Sequence, residues 1–164
     1  MEKSEISIVA RHLKQAPVDI KAIFAELGVE YVCEAMADGA SGSIVRSGDK
    51  FIVTVNASES KTRRHFTAAH ELAHYLLHRD LLGDGKRMHR HIDNLYAGGT
   101  QSGEVIFKRS HEIEANRIAA QIVMPKKLVE QEYAKTKDAA LLAKNFGVSK
   151  AAMEIRLRTL GLNS

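Results

Sequence analysis

Thr67-Ala68-Ala69-His70-Glu71-Leu72-Ala73-His74-Tyr75-Leu76-Leu77-His78 sets the chemistry of this chain. Apolar residues recur at helical spacing through Phe66, Ala69, Ala73, Leu76 and Leu77, which predicts a helix over His65 to His78. Within it, His70-Glu71-Leu72-Ala73-His74 is an H-E-x-x-H pattern. Helical residues four apart stack on one face with β-carbons roughly 6 Å apart, so two imidazoles there grip one cation. Glu71 lies about 100° around the helix from His70, close enough to reach a water on that cation without being a ligand. The expected assignment is His70 and His74 as metal ligands and Glu71 as general base.

A catalytic zinc centre usually has three protein ligands and one open position. The chain offers Glu112 as the third, in His111-Glu112-Ile113-Glu114-Ala115-Asn116-Arg117-Ile118-Ala119-Ala120, the start of a second helix. Asn116 follows one turn later, where its amide would orient a ligating histidine. Glu114 is the rival, about 200° away on the helix and without an amide partner four residues on. His78 continues the His70 and His74 face, and both His78 and His111 read as capping or supporting residues rather than ligands.

Upstream, Tyr31-Val32-Cys33, Ser43-Ile44-Val45-Arg46 and Phe51-Ile52-Val53-Thr54-Val55 are short β-prone runs separated by glycine-containing turns, which predicts a small antiparallel sheet. The last run would offer an edge for an extended substrate segment. Residues 5–28 read as two short helices broken at Pro17, with Asp19 near the second start and Gly28 as its stop. Residues 79–108 hold Gly83, Gly85, Gly98, Gly99 and Gly103 with little periodicity and read as a long functional connection. Its Tyr96, His89 and His91 are candidate oxyanion donors.

Downstream, helices are expected over about Ser110 to Met124, from Pro125 to about Lys135, over Asp138 to Asn145, and over Ser149 to Leu160. The last two, around Gly147, have the form of a helix-turn-helix. Leu141, Phe146, Val148, Met153 and Leu157 have core-like spacing, and the basic residues of the Ser149 helix are only Lys150, Arg156 and Arg158. Packing or substrate docking is therefore expected in preference to DNA readout.

Together these elements give an α+β domain spanning 1–164: N-terminal helices over 1–28, the sheet over 29–56, the metal-site helices and connecting loop over 57–125, and C-terminal helices over 126–164. The 164 residues, 45% hydrophobic and 27% charged, fit one globular unit. Cys33 is the only cysteine, which excludes an internal disulfide and a thiolate zinc cluster. The net charge of +4 is concentrated partly in Lys61-Thr62-Arg63-Arg64 and Lys86-Arg87-Met88-His89-Arg90-His91, which favours acidic partners. The N-terminus lacks the pattern of a signal peptide, and no apolar run reaches membrane length, so a cytoplasmic location without membrane insertion is expected.

With these residues in place, the chain resembles the ImmA/IrrE family of metallopeptidases. The likeness rests on Arg64 to His78 and on Glu112-Ile113-Glu114-Ala115-Asn116-Arg117-Ile118-Ala119-Ala120-Gln121-Ile122-Val123-Met124-Pro125. It departs at Ile118, where the family more often has phenylalanine. The resemblance implies a zincin-like, thermolysin-like minimal fold, with His70, His74 and Glu112 matching the family's zinc ligands and Glu71 its base. It further implies cleavage of helix-turn-helix repressors, often encoded alongside in phage, mobile-element or stress-response loci. The function expected is that of a zinc-dependent endopeptidase relieving repression. The alternative is a non-proteolytic regulatory module that binds a repressor or DNA around a structural or vestigial zinc site.

Overall fold

Local start and stop signals shape the N-terminal third. Helix α1 (Lys3–His12) is followed by α2 (Ile20–Leu27), where Asp19 Oδ1 accepts from the Ala22 N–H at 3.0 Å and Gly28 closes the helix in the left-handed region at φ 73°. Glu26 joins the two helices through Arg11 at 2.7 Å and His12 at 2.8 Å. The computed structural model describes residues 1–37, 39–82, 88–92 and 107–162, with residues 88–92 traced by their backbone alone.

Strands β1 (Glu30–Glu34), β2 (Ala40–Ser47), β3 (Lys50–Asn56) and β4 (Met88–Ile92) form a sheet in the order β1-β3-β2-β4. β2 runs antiparallel to both β3 and β4, whereas β1 lies parallel to β3. The sheet is therefore mixed, and the expectation of a wholly antiparallel one is corrected at β1. Buried Asn56, at the end of β3, donates from Nδ2 to the Ala40 carbonyl at 2.8 Å and accepts at Oδ1 from the Met36 N–H at 3.2 Å. These bonds tie the β1–β2 connection to the end of β3, which lies between the two earlier strands.

That placement corrects a second expectation. β3 is paired on both sides and has no edge to offer a substrate; among the described residues the outer strands are β1 and β4. A third concerns the segment 79–108, read from its sequence as an extended connection: among its described residues stand a 3-10 turn (Arg79–Leu82) and β4. β4 forms because β2 otherwise leaves a row of backbone groups unpaired beside a buried helix. Gly83, Gly85, Tyr96, Gly98, Gly99 and Gly103 lie outside the described residues.

Helix α3 (Lys61–His78) packs across β2 and β3 and against α4 (Arg109–Val123). Ser60 caps its start, accepting from the Arg63 N–H at 3.3 Å. Ile44, Val53 and Val55 of the sheet meet Ala69, Leu72 and Ala73 of α3, all fully buried. Ala115 and Ala119 are equally buried on α4, and small residues on both helices allow a close approach of their axes.

The C-terminal helices are α5 (Lys126–Thr136), α6 (Ala139–Phe146) and α7 (Lys150–Thr159). Asp138 and Ser149 cap α6 and α7, and Gly147 ends α6 at φ 69°. Leu142, Phe146, Val148, Met153 and Leu157 are buried, but Leu141 is 44% exposed. The apolar stripe of α6 thus runs through Leu142, one residue from the position the spacing suggested. Arg156 is also buried, its Nε donating to the Met124 carbonyl at 3.0 Å, and Lys150 lies 3.6 Å from Glu154. Burial pushes the Arg156 guanidinium pKa down. Of the three basic residues of α7, Arg156 is thus turned to an internal contact, while Lys150 forms an exposed pair with Glu154.

Candidate metal centre

α3 and α4 bring His70, His74 and Glu112 to one point. The Nε2 atoms of the two histidines are 3.0 Å apart, Glu112 Oε2 is 3.0 Å from His70 Nε2, and Glu112 Oε1 is 3.3 Å from His74 Nε2. Both histidines are fully buried, and donor atoms of the three residues all lie within 4.8 Å of one another. Two imidazole nitrogens facing each other cannot both carry a proton there. Donors held about 2.0–2.2 Å from one tetrahedral ion are themselves separated by about 3.3 Å, close to the spacing seen. Two imidazoles and a carboxylate fit zinc and related divalent transition ions.

The outward-facing nitrogens fix the tautomers that this requires. His70 Nδ1 lies 2.7 Å from Asn116 Oδ1, an acceptor, so Nδ1 carries the proton and the Nε2 lone pair faces the centre. On the other side, His74 Nδ1 lies 3.0 Å from His78 Nδ1, and His78 Nε2 lies 3.4 Å from Glu114 Oε1. With the Nε2 proton of His78 turned to Glu114, its Nδ1 accepts from His74, whose Nε2 lone pair is again directed inward. Burial, followed by the nearby His111 charge, depresses the pKa of His78 against the opposing pull of Glu114, which favours this neutral form. The two carboxylates of α4 thus occupy different places, Glu112 at the convergence point and Glu114 behind His78. His111 accepts at Nδ1 from the Lys108 N–H at 3.0 Å, at the start of α4.

Glu71 stands next to this cluster in a dry setting. It is fully buried, and among the described residues neither carboxylate oxygen has a hydrogen-bond partner. Burial above all, then the negative charge of Glu112, raises its pKa well above the usual carboxylate range. A cation held by the three neighbours would act in the opposite direction.

Two residues at the centre carried no functional signal that was read from the sequence. A Cβ on Gly42 of β2 would stand 2.6 Å from Thr67 Cγ2 and 3.3 Å from Glu71 Oε1, so glycine is what lets the strand touch the helix here. A glycine in mid-strand is itself a sign of close approach. Phe107 stacks on His74, with ring centroids 4.1 Å apart and an interplanar angle of 13°. A lone phenylalanine ahead of α4 gave no such sign. Of the proposed oxyanion donors, Tyr96 lies outside the described residues, and the side chains of His89 and His91 on β4 do also.

A buried carboxyl group beside two imidazoles and a second carboxylate, carried on adjacent helices over a small sheet, is an arrangement that suits a metallopeptidase-like domain. Residues 24–158 match the M78 peptidase family, described as an IrrE N-terminal-like domain, and the chain belongs to that family. No curated protein matches the chain. Among the described residues no helix is long and apolar enough to cross a membrane.

Proposed function

We propose that the chain is a zinc-dependent endopeptidase acting on a helix-turn-helix repressor. The observation that carries the peptidase chemistry is the convergence of His70, His74 and Glu112 beside buried Glu71, whose two oxygens have no hydrogen-bond partner among the described residues. A divalent ion bound by the three residues supplies Lewis acidity to a peptide carbonyl and acidifies water. Glu71 accepts the proton of the attacking water at a carboxylate oxygen and delivers it to the departing amine nitrogen. Asn116 and His78 hold the two imidazoles in the tautomers that face the ion. Phe107, buried and stacked on His74, gives the centre an apolar face that limits competing water and so strengthens each charge interaction inside.

A substrate strand has a place to pair. β4 is an outer strand, and its His91 stands opposite Gly42, the residue against which Glu71 packs. Main-chain pairing along β4 would present an extended segment beside the base, so a linker or frayed helix is the preferred target over a stable core. The repressor as substrate rests on the family resemblance, as does a role in derepression.

The direct test is incubation of the purified, zinc-loaded chain with the repressor encoded beside it, with fragments mapped by mass spectrometry. One or a few cuts in an exposed segment are expected. An intact repressor that nevertheless binds tightly would replace this reading with that of a regulatory binding module.

A further inference from the structure

The back of α3 carries a second concavity. A groove of about 750 Å³ opens between the start of α2, the first turns of α3 and the α6–α7 turn. Ala68, in its lining, lies about 200° around the helix from His70, so the groove is on the opposite side of α3 from the metal centre. Its volume is that of a small-molecule site.

The lining has two chemically distinct parts. Val18, Ile20, Ala68 and Ala143 are buried and form an apolar floor, whereas Lys21, Lys61 and Lys144 are exposed along its rim and Arg64 is half-buried between them. Elsewhere many cations sit against carboxylates, as Arg79 does on Glu5 at 2.8 Å and Lys135 on Glu132 at 2.8 Å. Among the described residues none of the four groove cations has an ion-pair partner, and the Arg64 guanidinium donates from Nη1 to Cys33 Sγ at 3.8 Å. The one acid in the lining, Asp19, is already engaged as the cap of α2. At the base, Arg64 Nε and His65 Nε2 are buried without hydrogen-bond partners among the described residues.

Four cations against the single carboxylate of Asp19 leave the concavity net positive, an arrangement that an anion relieves. A guanidinium with flanking ammonium groups suits phosphate, because the planar fork fixes geometry and the lysines add point charge. The apolar floor would be wasted on a bare ion, and the concave form does not suit the extended backbone of a nucleic acid. We propose that this groove binds an organic phosphate of nucleotide size, with the phosphate at Arg64 and the lysine rim and the apolar body over Val18, Ile20 and Ala68.

Calorimetric titration of the full chain with AMP, ATP and inorganic phosphate tests this. Saturable binding of AMP and ATP is expected, with inorganic phosphate at least about tenfold weaker for want of an apolar body. Arg64→Gln should weaken AMP binding about tenfold, and Lys61→Gln or Lys144→Gln about threefold each. The two lysines are exposed, so those variants keep the fold, as circular dichroism would verify. AMP binding should persist after a chelator has stripped the metal centre. Absence of nucleotide binding, equal affinity for inorganic phosphate, indifference to all three substitutions, or loss of binding on chelation would each overturn the proposal.

Discussion

The α3–α4 pair and the α6–α7 pair are built from similar helices, yet they treat polar groups in opposite ways. In α6–α7 the buried and capping polar groups have partners: Asp138 on the Ala140 N–H, Ser149 on the Ala152 N–H, Arg156 on the Met124 carbonyl. In α3–α4, Glu71 lies fully buried with both oxygens partnerless among the described residues, against a glycine that leaves it just enough room. Burying an ionisable group without a partner costs stability, so a fold keeps such a group only where it serves something other than folding. The helix-turn-helix-like stretch, expected from its few basic residues to pack rather than to read DNA, has its polar groups partnered, whereas the partnerless carboxylate among the described residues stands beside the metal-ligand cluster.

The largest effect that would break this contrast is on Glu71. Glu71→Gln should lower the turnover of a cleaved repressor by about 10²–10⁴-fold while leaving the bound metal in place, and the metal-free variant should melt no lower than metal-free wild type. Wild-type turnover in Glu71→Gln, with metal analysis beside it, would remove the proposed base. Next come the two carboxylates of α4. Glu112→Ala should lose the metal, while Glu114→Ala, acting through His78 on His74, should weaken affinity about 10–100-fold. Chelator competition measures both, and a reversed order would exchange their roles.

Smaller effects sharpen the packing side. Gly42→Ala would force a methyl group to within 2.6 Å of Thr67 Cγ2, for an expected loss of about 1–3 kcal/mol in denaturant titration and a drop in turnover as Glu71 shifts. An unchanged midpoint would mean that strand and helix part without cost. Arg156→Ala should destabilise by about 1–3 kcal/mol through the orphaned Met124 carbonyl and lost packing, and Lys150→Ala by less than about 0.5 kcal/mol. Sequence-specific DNA binding abolished by these two changes, with stability intact, would return α7 to a role in readout.

The sequence showed most clearly what is local. Asp19, Gly28, Pro125, Asp138, Gly147 and Ser149 punctuate the helices because capping and left-handed closure depend on residues within one turn. His70, Glu71 and His74 were legible for the same reason, and the pairing of Glu112 with Asn116 followed from the same one-turn spacing. What escaped depends on partners distant in sequence. Asn56 ties the end of β3 to Ala40 and Met36, residues far from it in sequence, and nothing in the β-prone runs themselves shows that β3 inserts between its predecessors. The link from Glu114 through His78 to His74 needs the relative height of two helices, which spacing along one helix does not contain.

The convergence of donors from two helices also has a thermodynamic side. His74 and Glu112 are far apart in the chain, so an ion held between them is a reversible clasp closing a long stretch of polypeptide, formed only in the folded state. Each tenfold rise in free ion above the dissociation constant then adds about 1.4 kcal/mol to the folding equilibrium. Metal starvation would therefore act twice, removing the reacting ion and at the same time shortening the survival of the chain against proteolysis of its unfolded form.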